Sequence, residues 1–324
     1  MLAMSENKPI NVAVIGCGYW GKNLVKAFAT LGVLGAVSDA HDATAESFAK
    51  DYNVPAKTWD QILDDATIQA VALATPAVQH TDMAIQALQH GKHVFVEKPL
   101  AMMVADACRV IDVACQCNRQ VMVGHILNYH PAFMALKQLV SDGRLGKLHH
   151  IHSSRLSLGK VRSEENIIWS FAPHDVSMVL ALAGREPTEV TTHHSAFLNP
   201  EIADIGHMDL QFDQGLTAHI HVSWISPFKE QKLTVIGDKG MAVFEDSIPH
   251  PNKLIFYPHV VDTTTSPATV EKKDGIVIDV DATIEPLVNE CRHFVMAAMT
   301  NMPALTDAQE GLRVLKILAQ TDKG

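Results

Sequence analysis

Short apolar runs alternate with helical periods through the first 125 residues. Ile10–Ile15 (INVAVI) is an apolar stretch of strand length that stops at a glycine cluster. From Trp20 to Leu31 the apolar residues Leu24, Phe28 and Leu31 recur at helical spacing, and Gly32 suits a C-terminal cap. Leu34–Ser38, Ala70–Ala74, His93–Val96 and Gln120–Val123 repeat the strand pattern, with helix-like stretches between them. Apolar strands alternating with helices predict a parallel sheet covered on both faces.

The texture changes after residue 126. His149–Leu156, Glu189–Phe197, His207–Phe212, Leu216–Ile225, Leu233–Ile236, Met241–Phe244, Leu254–Tyr257 and Gly275–Val280 read as strands in series. Helices are expected at Pro173–Leu182, Pro286–Met299 and Asp307–Thr321. Strands in series predict a second, α+β domain on a large, open, mostly antiparallel sheet. The expected domains are 1–126 and 127–324.

Composition narrows the class. With 47% hydrophobic and 19% charged residues, the 324-residue chain can build full cores, which excludes a disordered scaffold. A net charge of −10 gives no electrostatic reason to gather nucleic acid. No apolar run approaches the ~20 residues that span a bilayer, so no membrane association is expected. The start, MLAMSENKPINVAVIG, lacks a basic segment followed by a small-residue cleavage site, so the cytoplasm is the expected compartment. Five scattered cysteines read as reduced thiols.

Gly16-Cys17-Gly18-Tyr19-Trp20-Gly21 fits G-x-G-x-x-G between a predicted strand and a predicted helix. Gly16 permits the tight turn, Gly18 lets backbone N–H groups approach a pyrophosphate, and Gly21 lets helix and sheet pack closely. Asp39 ends the second strand, where a carboxylate can accept from both adenosine ribose hydroxyls and repel a 2′-phosphate. The N-terminal domain is therefore expected to be a Rossmann domain that takes NAD in preference to NADP. Glu97-Lys98-Pro99 follows a buried strand, at the edge where open α/β sheets bind ligands. Pro99 restrains Lys98, and a cis bond is one way to do so. The Lys98 ammonium can stabilise an alkoxide; a solvated Glu97–Lys98 pair is the other reading.

The glycine loop, Ala74-Thr75-Pro76 with His80, and Glu97-Lys98-Pro99, in that order, resemble the Gfo/Idh/MocA oxidoreductase family over nearly the whole chain. The resemblance implies a Rossmann domain followed by an α/β domain whose open sheet covers the active site and often mediates assembly, here as a homo-dimer or homo-tetramer. It places Tyr19, Trp20, Thr75, Pro76 and His80 along the cofactor, and Glu97 and Lys98 beside the nicotinamide. It makes His174 of the Ala172-Pro173-His174-Asp175 stretch the second catalytic group, and Pro173 is expected in the first turn of its helix. Asp175 is expected to orient the His174 ring or to favour the helix N-terminus. The sequence departs from the pattern at Ser170, where many relatives carry aspartate.

Arg155, Lys160 and Arg162, with Asn166, resemble the branch that oxidises the C3 hydroxyl of UDP-N-acetylglucosamine before transamination in lipopolysaccharide or cell-surface sugar synthesis. The three cations suit a diphosphate; a solvated basic surface is the other reading. The uronic acid of the same sugar, an inositol or aldose substrate, and a non-catalytic NAD-binding regulator are the alternatives. Retention of Lys98 and His174 argues for an enzyme. His150 with His152, and His219 with His221, share strand faces, but no carboxylate or thiolate stands at ligand spacing, so no metal is expected.

Overall fold

The computed structural model describes residues 10–321 except 160, 164 and 263. Up to residue 126 the chain forms β1 (Val12–Ile15), α1 (Gly21–Thr30), β2 (Leu34–Ser38), α2 (Asp42–Tyr52), α3 (Trp59–Asp64), β3 (Ala70–Leu73), α4 (His80–Gln89), β4 (His93–Val96), α5 (Val104–Cys117) and β5 (Val121–Val123). Next come α6 (Pro131–Ser141), β6 (Leu148–Leu158), α7 (Ile167–Ala183), β7 (Glu189–Ser195), β8 (Ile205–Gln211), β9 (Thr217–Ser223), β10 (Ile225–Gly237) and β11 (Met241–Glu245). The remainder is β12 (Leu254–Tyr257), β13 (Val260–Asp262), β14 (Thr269–Glu271), β15 (Ile276–Val277), α8 (Pro286–Thr300) and α9 (Ala308–Leu318).

The chain divides into two units, Met1–Ile126 with Glu285–Leu315, and Leu127–Ile284 with Lys316–Gly324. In the first, five strands form a wholly parallel sheet in the order β2-β1-β3-β4-β5. Every residue of β1, β3, β4 and β5 is buried, as apolar strands covered on both faces require. The expected boundary after residue 126 assigns the last two helices to the second domain, whereas the structure packs 285–315 with the first. Phe294 of α8 meets Phe28 and Phe95 edge-on, with ring centroids 6.3 and 5.7 Å away. Thr306 donates its hydroxyl to the Val123 carbonyl at 2.8 Å, extending the sheet edge.

In the second unit the sheet runs β15-β12-β11-β10-β6-β9-β8-β7, antiparallel except for the β6–β9 pair. Period-two alternation is clear in β9, where Ala218, Ile220 and Val222 are buried. His219 and His221 point to the other face, where His219 stacks on His152 at 5.4 Å and His221 on His207 at 4.3 Å. Among the described residues no group of three or more His, Cys, Asp or Glu is arranged to hold a metal ion. None of their helices is long and apolar enough to cross a membrane.

Two local expectations are corrected. Helix α7 starts at Ile167, because the Asn166 side chain caps it by accepting from the Ile168 and Trp169 N–H groups at 3.0 and 3.1 Å. Pro173 and Asp175 therefore lie inside the helix, and neither occupies its first turn. The β13–β14 hairpin was not expected; its residues are mostly exposed and give no alternation to read.

Candidate active site

The strand order reverses between β1 and β3, the topological switch point at which such sheets bind ligands. Gly16 follows β1 with φ +88°, and a Cβ there would lie 2.7 Å from the Ala74 carbonyl oxygen in the loop after β3. Only glycine suits both demands. Around Gly18 nothing lies within 4 Å of where a Cβ would stand, so its backbone is open to a ligand. Gly21 opens α1, whose first turn carries no acid, so its N–H groups and partial positive charge face the loop unopposed. Asp39, just past β2, accepts from the Cys17 N–H at 2.7 Å and from the His41 N–H at 2.9 Å. Those bonds hold the carboxylate beside the glycine loop, and each oxygen has a second lone pair to offer a ribose hydroxyl. Tyr19 is 80% exposed at the tip of the loop. An open Gly18, a helix N-terminus and a fixed Asp39 together fit a dinucleotide.

Strand β4 delivers Glu97 and Lys98 to the same sheet edge, and the Lys98–Pro99 bond is cis. His80 clamps this turn to its neighbour: Nδ1 lies 2.8 Å from the Pro99 carbonyl and Nε2 2.9 Å from that of Thr75. Burial lowers the His80 pKa against those two carbonyls, and Lys98 adds to the lowering. His80 therefore shapes the Thr75-Pro76 and Lys98-Pro99 turns together. The Trp20 indole N–H donates to Glu97 Oε1 at 2.5 Å, tying the glycine loop to the strand end. Gly124 leaves room for that carboxylate, since a Cβ there would lie 3.0 Å from Glu97 Oε2. Burial pushes the Glu97 carboxyl up to about 7, opposed by the Trp20 bond, Lys98 and His125.

Sequence reasoning missed three groups here. His125, just past β5, has Nδ1 2.6 Å from Glu310 Oε2 of α9. Its place directly after a strand of the parallel sheet, like that of Lys98, was a usable signal. Glu290 of α8 is fully buried and reads in the sequence as one more polar helix position.

In the second unit α7 presents a half-buried His174. Its neighbour Asp175 does not serve the ring: its oxygens accept from Ser153 Oγ and Arg155 Nε, each at 2.6 Å. Arg155, expected to meet a substrate diphosphate, is thereby a buried structural partner of Asp175. Arg162 is half-buried with Nε 3.8 Å from Glu165. Asn166 uses its side-chain oxygen as the α7 cap. Lys160 lies outside the described residues.

Known proteins place these features in a family. Residues 10–125 match the model of an oxidoreductase family with an NAD-binding Rossmann fold, and 133–243 match the GFO/IDH/MocA C-terminal domain. Inositol 2-dehydrogenase of Rhizobium meliloti is 29% identical over 74% of this chain and 77% of its own. UDP-N-acetylglucosamine 3-dehydrogenase of Acidithiobacillus ferrooxidans is 26% identical over 96% of each chain. The solved structure of that enzyme, 24% identical, superimposes over 97% of each chain with a TM-score of 0.84. The matches to both halves, on top of the glycine loop and the Lys98 strand end, establish that the chain belongs to the Gfo/Idh/MocA family of NAD-binding oxidoreductases.

Proposed function

We propose that the protein oxidises the C3 hydroxyl of a UDP-linked amino sugar, UDP-N-acetylglucosamine, with NAD as hydride acceptor. The observation that supports this reading is the likeness to the Acidithiobacillus enzyme over 96% of both chains in sequence and 97% of both in structure. The glycine loop and Asp39 hold the dinucleotide, and the Asp39 charge disfavours a 2′-phosphate. Lys98 polarises the hydroxyl oxygen and stabilises the alkoxide that develops as hydride leaves. An unprotonated His174 accepts the hydroxyl proton. Arg162, Lys160 and Asn166 are the remaining groups proposed for the nucleotide sugar. The 3-keto product suits transamination, and the proposal includes a homo-dimer or homo-tetramer in the cytoplasm.

One observation favours a cyclitol instead. Arg155 is engaged by Asp175, which removes a cation from the set proposed for a diphosphate. Turnover of UDP-N-acetylglucosamine, its uronic acid and myo-inositol with NAD, read by NADH absorbance, separates the readings. Thermal protection by UDP alone is expected under the nucleotide-sugar reading and absent under the cyclitol reading.

A further inference from the structure

Helix N-caps favour side chains that accept from the first turn, and tryptophan has no acceptor to offer. Trp20 nevertheless holds that place in α1, and its side chain makes no bond to the helix. The indole N–H donates instead to Glu97 Oε1 at 2.5 Å. In the sheet β3 lies between β1 and β4, so this bond joins loops two strand spacings apart, roughly 10 Å.

The two ends of this bond are held differently. The inner part of the glycine loop rests on the turn after β3: a Cβ on Gly16 would lie 2.7 Å from the Ala74 carbonyl oxygen, and one on Gly21 3.2 Å from the Ala74 Cβ. The outer part is open, with Tyr19 80% exposed and nothing within 4 Å of a Cβ on Gly18. Trp20 ties that part down from β4. At the far end the Glu97 N–H donates to the Leu73 carbonyl, and the Gly124 N–H to the Val96 carbonyl, each at 2.9 Å. The Glu97 carboxyl is seated against Gly124, where a Cβ would stand 3.0 Å from Oε2 and 3.1 Å from Oε1. Lys98 comes next in the chain, ahead of the Pro99 carbonyl that lies 2.8 Å from His80 Nδ1. It therefore stands between two fixed points.

We propose that Trp20 and Glu97 form a strap that joins the dinucleotide loop to the Lys98 turn, and that Glu97 is a positioning residue acting on the cofactor through Trp20. The strap links the loop that takes the pyrophosphate to the residue that takes the substrate oxygen, so binding energy at the first organises the second. The proposal rests on the NAD-binding reading of this domain and is independent of the sugar. The other role open to Glu97 is a direct contact with the nicotinamide, and it leads to a different result.

ADP-ribose separates the two, because it keeps the adenosine and pyrophosphate of NAD and lacks the nicotinamide. Under the strap, Glu97→Leu should weaken ADP-ribose and NAD alike, each by roughly tenfold in calorimetric Kd, the loss expected for one strong hydrogen bond. Weakening of NAD alone would point to the nicotinamide contact and overturn the proposal. Trp20→Phe keeps an aromatic ring and removes the donor, so it should match Glu97→Leu, with a thermal midpoint near wild type. The double variant should bind no more weakly than either single one, and fully additive losses would contradict the strap. Glu97→Gln keeps an acceptor oxygen and should recover most of what Glu97→Leu loses. Gly124→Ala crowds the carboxyl seat from β5 and should weaken ADP-ribose in the same direction. Unaltered ADP-ribose affinity in Trp20→Phe overturns the strap even where Glu97→Leu fails to fold. Failure of the wild type to bind either dinucleotide would instead overturn the cofactor reading, and the strap with it.

Discussion

In the second domain Asp175 is 1% exposed, yet it receives the Ser153 hydroxyl and the Arg155 guanidinium at 2.6 Å each. Asp204, equally buried, receives the Trp224 indole N–H at 2.5 Å and the Phe197 and Leu198 N–H groups at 2.7 and 2.8 Å. In the first domain Glu290 is as deeply buried, with no hydrogen-bond partner among the described residues, and Glu97 answers chiefly to one indole. The contrast separates two uses of an interior acid. Complete pairing fixes the charge and lets the acid join elements of structure, here α7 to β6. Incomplete pairing in a dry place leaves the acid holding its proton, as Glu290 does.

The largest test of that contrast is Asp175→Ala. It strands the Arg155 guanidinium without its anion and should cost roughly 3–5 kcal/mol in urea unfolding; a loss under about 1 kcal/mol would contradict the structural role. His174→Ala, one residue away, should act on rate instead. Turnover should fall about 10²–10⁴-fold while the unfolding midpoint and NAD binding stay near wild type. Glu290→Leu should have the opposite sign from Asp175→Ala, neutral or stabilising by about 1–3 kcal/mol, because it removes an unpaired buried polar group. Thermal unfolding checks it, and a marked loss would reveal a partner for the acid.

A further effect is the pH slope of stability. The folded pKa of Glu97, about 7, lies above its ordinary value of 4.5, so the folded state holds this proton more tightly. Its contribution is present in full below about pH 4.5 and is lost as pH rises through about 7. Stability of the wild type relative to Glu97→Gln should fall across that window; a difference independent of pH would contradict the assignment.

Much of this was legible in the chain itself. Leu34–Ser38, His93–Val96 and Leu254–Tyr257 have the expected strand bounds, because apolar or alternating runs there end at turn residues. The places of the glycine loop, Asp39 and Glu97-Lys98 just past their strands were legible because close backbone approach and strand-end position impose residue types. Arg155 was misplaced although the signal existed: alternation along β6 puts it on the face of buried Ile151 and Ser153, away from His152. Pro173 suggested a helix start because proline is common there, and the Asn166 cap upstream prevailed. Glu290 left no trace, since a lone glutamate in an amphipathic helix reads as surface until its neighbours are known.

The central claim is that Lys98 and His174 serve the oxidation of a sugar-nucleotide hydroxyl by NAD. Its most direct measurement is NADH formation from UDP-N-acetylglucosamine by the wild type and by His174→Ala under NAD-saturating conditions. The account predicts NADH from the wild type and a rate lower by about 10²–10⁴ in the variant. Equal rates from the two proteins, or NADH from myo-inositol and none from the nucleotide sugar, would contradict it.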